Sequence, residues 1–262
     1  VASRFATNQR TRGCMNTITA PLKTAMILAA GLGTRMRPIT AITPKPLVKV
    51  DGRTLIDHAI DRLVEGGVTD VVVNLHYLGD QVERQLNRRE NPKINFSWER
   101  DELLETGGGV KHALGQLGSD PFWVINCDSL WLNGPQQMMT RALEQWDPEK
   151  MDALLILHST VDANGYEGQG DFHADPNGQL TRRPELEVSP WLFTGLQILN
   201  PRVFTDTPDG AFSLNLVYNT AIEVGRLYGM VHDGEWFHVG TPEGLGEVEG
   251  FMKYRYAGVK HR

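Results

Sequence analysis

The sequence predicts a doubly wound, mostly parallel α/β sheet, and three observations predict it. Short apolar runs alternate with amphipathic helical stretches through residues 25–128. Gly31 and Asp128 follow directly on two of those runs, where a parallel sheet places its ligands. With 262 residues, 40% of them hydrophobic, the chain can cover both faces of a sheet. Strand, helix, strand in this order is the pattern of right-handed crossovers.

Residues 25–30 read as a strand that is apolar throughout, as central parallel strands are. Leu55, Ile56, Ala59, Ile60, Leu63 and Val64 recur at helical spacing, and Gly66-Gly67 supplies the stop. Residues 71–75 form a second apolar strand, 80–87 a short helix and 94–98 a third strand. A helix over 110–117 follows, then a fourth strand over 122–126 that ends at Cys127-Asp128. Beyond it the texture changes. The spacing predicts strands over 153–158 and 191–199, separated by a stretch (165–190) rich in Gly, Pro and charge that reads as hairpins and loops. A helix over 212–224, short strands over 228–239 broken at Asp233-Gly234, and a closing helix over 242–256 complete the pattern. Thr241 caps that last helix and Glu243 stands in its first turn.

No internal repeat is present, and no hexapeptide array follows Val239, so no β-helix domain is expected. Residues 1–14 carry Arg4, Arg10 and Arg12, no acid, and no apolar core of a secretory signal. Residues 1–22 are therefore expected to be a disordered tail, and 23–262 a single domain. A net charge of -6 argues against a nucleic-acid surface. Two cysteines, Cys14 and Cys127, build neither a disulfide framework nor a CxxC metal site, which fits a reducing cytoplasm. No apolar stretch approaches the length of a membrane span.

The stretch "MILAAGLGTRMRPITAITPKPL" (residues 26–47) carries the chemistry. Backbone amides wrap a phosphate only where side chains do not intrude, a need that Gly31 and Gly33 meet. A dinucleotide fingerprint requires a glycine where Met36 stands, and a P-loop requires a Gly-Lys pair that the chain lacks. A plain strand-to-helix turn leaves Arg35 and Lys45 unexplained. A nucleoside triphosphate carries about four negative charges and needs fixed cations as well as amides. Arg35 offers a planar fork suited to the β- and γ-phosphates, and Lys45 a compact charge between prolines that restrict its backbone. Arg37 fits a solvated surface charge as well as a ligand contact.

Gly31-x-Gly33-Thr34-Arg35-x-x-Pro38-x-Thr40 followed by Pro44-Lys45-Pro46-Leu47 resembles the signature of sugar-1-phosphate nucleotidyltransferases. "ETGGG" (105–109), "NCD" (126–128), "FTGLQILNP" (193–201) and "WFHVGTPEGL" (236–245) extend the resemblance over roughly residues 23–257. It implies a Rossmann-like, glycosyltransferase-A-like nucleotidyltransferase fold. It also implies transfer of a nucleotidyl group from a nucleoside triphosphate to a sugar-1-phosphate, giving a nucleotide sugar and pyrophosphate. Arg35 would then hold the departing pyrophosphate, Lys45 the α-phosphate and Asp128 a divalent cation, Mg2+ by expectation. The implied nucleotide site comprises Leu28, Ala29, Ala30, Gly31, Gly33, Thr34, Arg35, Lys45, Glu105, Gly107, Gly108 and Asn126. Three bare glycines at 107–109 would let a flat base lie against backbone, or would simply be a flexible lead into the helix. The implied sugar-phosphate side comprises Gly170, Asp171, Arg183, Glu187, Thr194 and Gly195.

Two departures from the pattern stand out. Relatives usually carry an aspartate where this chain has His238, and that aspartate completes the metal site. Histidine is a softer ligand, ill matched to Mg2+. Three roles therefore stay open: Asp128 holds the metal with water and phosphates alone, His238 coordinates Mn2+ or Co2+, or His238 hydrogen-bonds the substrate phosphate. In "RRPELE" (182–187), Arg182 or Arg183 stands near a Glu-Lys-Pro whose lysine holds the sugar phosphate in many relatives. The short chain, "LETGGG" and "GDF" look most like bacterial N-acetylmuramate-1-phosphate uridylyltransferases of cell-wall sugar recycling. Mannose- and heptose-1-phosphate guanylyltransferases are the alternatives, and a non-catalytic nucleotide-sugar-binding regulator is the alternative of another class. A cytoplasmic monomer or small homo-oligomer is expected, binding nucleoside triphosphate and sugar-1-phosphate but neither nucleic acid nor membrane.

Overall fold

The structure, a computed structural model, describes residues 21–257. Residues 1–20 of the expected tail (1–22), Cys14 among them, lie outside the described residues. Leu22, at the end of that expected tail, instead packs against the core.

In chain order the strands are β1 (Thr24–Leu28), β2 (Lys49–Val50), β3 (Arg53–Thr54), β4 (Asp70–Leu75), β5 (Lys93–Trp98), β6 (Phe122–Asn126) and β7 (Ser129–Leu132). Then come β8 (Ala153–Ser159), β9 (Phe172–Ala174), β10 (Leu180–Arg182), β11 (Trp191–Leu199), β12 (Leu227–Val231) and β13 (Glu235–His238). The helices are α1 (Leu55–Glu65), α2 (Gly79–Leu86), α3 (Glu105–Leu117), α4 (Met138–Gln145), α5 (Leu214–Glu223) and α6 (Pro242–Ala257). Nine strands form one sheet in the order β10-β9-β11-β6-β1-β4-β5, with β8 beside β11 and β12 beside β8.

The pairs β1-β4, β1-β6, β4-β5 and β8-β12 are parallel. β11 runs antiparallel to both β6 and β8. The physical reason lies between β8 and β11. A parallel return needs a crossover helix, and that segment holds only the β9-β10 hairpin and loops. Alternation along each strand divides the core. Ala25, Ile27, Val71, Val73, Trp123 and Ile125 pack on one face, with α1 and α4. Met26, Val72, Phe122 and Val124 pack on the other, with α3 and α5. A smaller cluster joins Met36, Val50, Leu130 and Phe237 to Val248 and Met252 of α6.

α1 begins where Thr54 accepts a hydrogen bond from the Asp57 amide, and the Thr241 hydroxyl caps α6 by accepting from the Gly244 amide. The expected start of α3 at residue 110 is corrected: the helix starts at Glu105 and includes all three glycines. Glycine disfavours a helix, but these positions take no other residue, because their neighbours leave no room for a side chain. A Cβ on Gly107 would lie 2.4 Å from the Phe212 ring, and one on Gly108 would lie 2.2 Å from the Gly210 carbonyl. β7 and α4 carry no expectation above. β7 pairs antiparallel with β13, and this ribbon brings His238 opposite Ser129, next to Asp128.

Candidate active site

A cleft of about 440 Å³ opens beyond the carboxyl ends of β1, β4 and β6. β1 leads directly into it through Leu28, Ala29 and Ala30, and Gly31, Gly33, Thr34 and Arg35 continue its wall. A Cβ on Gly31 would meet nothing within 4 Å, so this residue faces open space. Gly33 has φ +61°, and a Cβ there would press on Thr40 and Lys45. The Thr40 hydroxyl donates to the Gly33 carbonyl at 2.7 Å and pins the turn. Among the described residues no group accepts from the amides of Gly31, Leu32 or Gly33. Arg35 is exposed and makes no ion pair among the described residues. This is a loop with its donors unspent.

Lys45 sits in a tight turn between Pro44 and Pro46, and its ammonium donates to Asp128 Oδ2 at 2.5 Å. The two side chains are 12% and 17% exposed. His238 Nε2 lies 3.4 Å from the same carboxylate oxygen. Burial pushes the Asp128 carboxyl up, but the Lys45 ammonium and then His238 outweigh it and hold it well below the usual carboxylate range. Next to it, burial and then the Asp128 charge push the Cys127 thiol up to about 12. The His238 ring stacks on Trp236 at 6.0 Å between centroids. A Cβ on Gly240 would strike that ring at 2.6 Å.

Among the described residues no group of three or more His, Cys, Asp or Glu side chains converges as a metal cage. The donor set still fits a hard cation. Mg2+ is commonly held by one or two carboxylates plus substrate phosphates, and Asp128 offers one carboxylate in the cleft that the glycine loop lines.

Of the expected nucleotide residues, Glu105 and Asn126 line the cleft with the loop, Lys45 and Asp128. Gly107 and Gly108 do not. Their amides donate to the Phe212 carbonyl at 2.8 and 3.0 Å, inside the packing of α3 on the segment before α5. The backbone on which a base was expected to lie is thus covered by protein, and Glu105 and Thr106 face the cleft in its place.

None of the expected sugar-side residues lines this cleft, although Gly195 packs against Asn126, which does. Gly170 has φ +80° and its carbonyl accepts from Arg183 Nε at 2.9 Å. Asp171 Oδ2 accepts from the Phe193 amide at 2.8 Å. Arg183 Nη1 donates to the carbonyls of Pro184, Glu185 and Glu187. The fork expected for a phosphate is therefore largely spent on its own loop. Arg182 lies over the Phe172 ring and donates to Asn215 and Asn219. Glu187 is exposed, with His173 at 3.6 Å. Thr194 is buried, and its hydroxyl donates to the Ile156 carbonyl. Gly195, at φ +84°, leaves the space that Asn126 fills, since a Cβ there would lie 2.8 Å from Asn126 Nδ2.

Asn74, Leu103 and Ser213 also line the cleft, outside the quoted motifs, together with Thr106 and Gly240, which fall inside two of them without having been singled out. Asn74 had a signal: it is the one polar residue inside the apolar run of β4 that follows Asp70.

A family profile described as nucleotidyl transferase matches residues 24–254. The N-acetylmuramate alpha-1-phosphate uridylyltransferase of Caulobacter vibrioides is 44% identical over 225 residues, 84% of this chain and 93% of that one. The protein of the same name from Neisseria meningitidis serogroup B is 36% identical over 86% of this chain and 96% of its own length. A mannose-1-phosphate guanylyltransferase catalytic subunit beta of Xenopus tropicalis is 30% identical over 84% of this chain and 61% of its own. In fold, a UDP-glucose pyrophosphorylase complexed with UDP-glucose superposes with a TM-score of 0.74 at 19% identity, over 89% of this chain and 99% of that one. The strand-end cleft, the open glycine loop and these matches agree, and the chain belongs to the nucleotidyl transferase family.

Proposed function

We propose that this nucleotidyltransferase moves the uridylyl group of UTP onto N-acetylmuramate α-1-phosphate, releasing pyrophosphate. The two relatives at 44% and 36% identity, both aligned over more than nine-tenths of their length, support the substrate pair. The observation that carries the chemistry is the partly buried Lys45–Asp128 pair beside a loop of unspent amides.

A phosphate oxygen of the sugar phosphate attacks the α-phosphorus, and the bond from that phosphorus to the bridging oxygen of pyrophosphate breaks. No general base is needed, because the attacking phosphate is already an anion near neutral pH. The protein positions and neutralises charge, which is the logic of phosphoryl transfer. The amides of Gly31 to Gly33 and the Arg35 guanidinium hold the β- and γ-phosphates and follow them as they leave. Lys45 turns from Asp128 to the α-phosphate. Asp128, with His238 beside it, would hold a divalent cation, Mg2+ foremost, which would supply charge neutralisation at the phosphates. On this reading residues 23–262 work as one catalytic domain, in the cytoplasm, as a monomer or small homo-oligomer that serves cell-wall sugar recycling.

Pyrophosphate release across UTP, GTP, TTP, CTP and ATP, each against several sugar-1-phosphates, tests the reading. UTP with N-acetylmuramate α-1-phosphate should give the highest kcat/KM. A preference for GTP with mannose-1-phosphate would move the chain to the guanylyltransferases named by the 30% relative. No release with any pair would contradict catalysis.

A further inference from the structure

Three linked hydrogen bonds, two of them buried and the third partly so, join the head of the glycine loop to the lead into α3 beside the nucleotide cleft. The Ala29 amide, at the head of the glycine loop, donates to Asn74 Oδ1 at 2.7 Å. Asn74 Nδ2 donates to Glu99 Oε1 at 2.7 Å. The second oxygen, Oε2, accepts from the Leu104 amide at 2.9 Å, immediately before Glu105 and Thr106. Asn74 and Glu99 are each 2% exposed. Among the described residues no Lys or Arg pairs with Glu99, so hydrogen bonds alone hold this buried carboxylate. Gly109 keeps the space open: a Cβ there would lie 2.8 Å from Glu99 Oε1 and 2.9 Å from Asn74 Nδ2.

The direction of these bonds is forced. Both ends of the chain are backbone amides, which can only donate. Asn74 spends its oxygen on one end and must then donate onward. The next group has to accept at both of its positions, and only a carboxylate does that. A glutamine in place of Glu99 would set an NH2 group against either the Leu104 amide or Asn74, leaving a buried donor unmet.

We propose that Asn74 and Glu99 are positioning residues that fix the glycine loop against the Leu104–Thr106 wall and so set the nucleotide affinity of the cleft. This rests on the reading of the cleft as the nucleoside triphosphate site. Neither residue needs to touch the reacting phosphates. Their effect is to hold two walls, carried on β1 and on the lead into α3, at one separation.

The test reverses the central bond of the three. Glu99→Gln leaves one donor unmet, and Asn74→Asp sets two carboxylates face to face. The double variant Asn74→Asp/Glu99→Gln restores every bond, with only the central one, between the two side chains, reversed. Its new carboxylate accepts from the Ala29 amide and from the new side-chain amide, whose oxygen in turn accepts from the Leu104 amide. Calorimetric titration with UTP and with GTP, together with steady-state kinetics and thermal melting, reads the outcome. Each single variant should bind the nucleotide preferred by wild type roughly ten-fold more weakly, the scale of one buried unmet donor. KM for the sugar phosphate should hold, and the double variant should return to within about three-fold of wild type. Should a single variant fail to fold, the double variant must still fold and bind. Singles that only melt earlier, with unchanged nucleotide affinity, would overturn the proposal by showing a purely structural role. A double variant as weak as the two losses combined would overturn it too. If wild type prefers GTP, the substrate reading fails while this pattern is still read with GTP.

Discussion

The two walls of this molecule spend their polar groups differently. On the wall proposed to hold the nucleotide, around the ends of β1 and β6, the amides of Gly31 to Gly33 and the Arg35 guanidinium have no partner among the described residues, and the Lys45 ammonium has only Asp128. On the other wall, built from β8 to β11, polar groups are already committed. Arg183 donates to Gly170, Pro184, Glu185 and Glu187, Thr194 to Ile156, and Asp171 accepts from Phe193. Unspent donors mark where an anion is to be held, and spent ones mark a scaffold. A substitution on the first wall should therefore cost chemistry, and one on the second should cost shape.

The largest expected effect is at Lys45. Lys45→Ala should lower kcat by a factor of about 10²–10³, or ~2.7–4 kcal/mol of transition-state stabilisation, with a much smaller change in sugar-phosphate KM. Unchanged turnover in a stopped assay of pyrophosphate release would erase the distinction between the walls.

Arg183 sharpens the other side. Arg183→Ala should lower Tm by a few degrees, from loss of bonds worth about 0.5–1.5 kcal/mol each, and raise sugar-phosphate KM several-fold while UTP affinity stays. Lysine cannot span the same carbonyls, so Arg183→Lys should behave like the alanine variant. A strong loss of kcat with Tm intact would return Arg183 to direct contact with phosphate.

A smaller effect is expected at the seam between the walls. His238→Asp places a harder ligand beside Asp128, so half-maximal activity should require several-fold less Mg2+. Superimposable Mg2+ and Mn2+ curves for the two proteins would remove His238 from the metal.

The smallest effect is at Cys127, which lines the cleft next to Asp128. Its thiol is pushed up to about 12 by burial and then by the Asp128 charge. The reactive thiolate therefore grows in only as pH climbs toward that value. In a Cys14→Ser background, native protein at pH 8 should resist iodoacetamide for hours, followed by intact mass. Rapid alkylation would show the carboxyl end of β6 to be more open than its packing implies.

The same contrast governs what the sequence could disclose. The loop at 31–47 was legible because the glycines, Arg35 and Lys45 are close in the chain and their chemistry is local. The parallel half of the sheet was legible because buried strands are apolar runs. β7 was not, since "SLWL" is short and its partner β13 lies about a hundred residues away. The start of α3 was missed because glycine speaks against helix on propensity, whereas here Phe212, Gly210 and Glu99 leave no space for a side chain. Arg183 looked like a phosphate fork because composition cannot show that its own loop turns back to occupy it. Asn74 was visible as a polar residue in an apolar strand, but its partners Ala29 and Glu99 come together only in the fold.

One measurement bears most directly on the claim that the first wall holds its donors ready for a polyphosphate. Calorimetric titration of wild-type protein with UTP and with UMP in Mg2+ should show UTP binding at least about ten-fold more tightly, as charge-assisted bonds to two further phosphates require. Arg35→Ala should close most of that gap. Equal affinity of wild type for UTP and UMP would contradict the account, because the unspent amides and Arg35 would then hold nothing beyond the first phosphate.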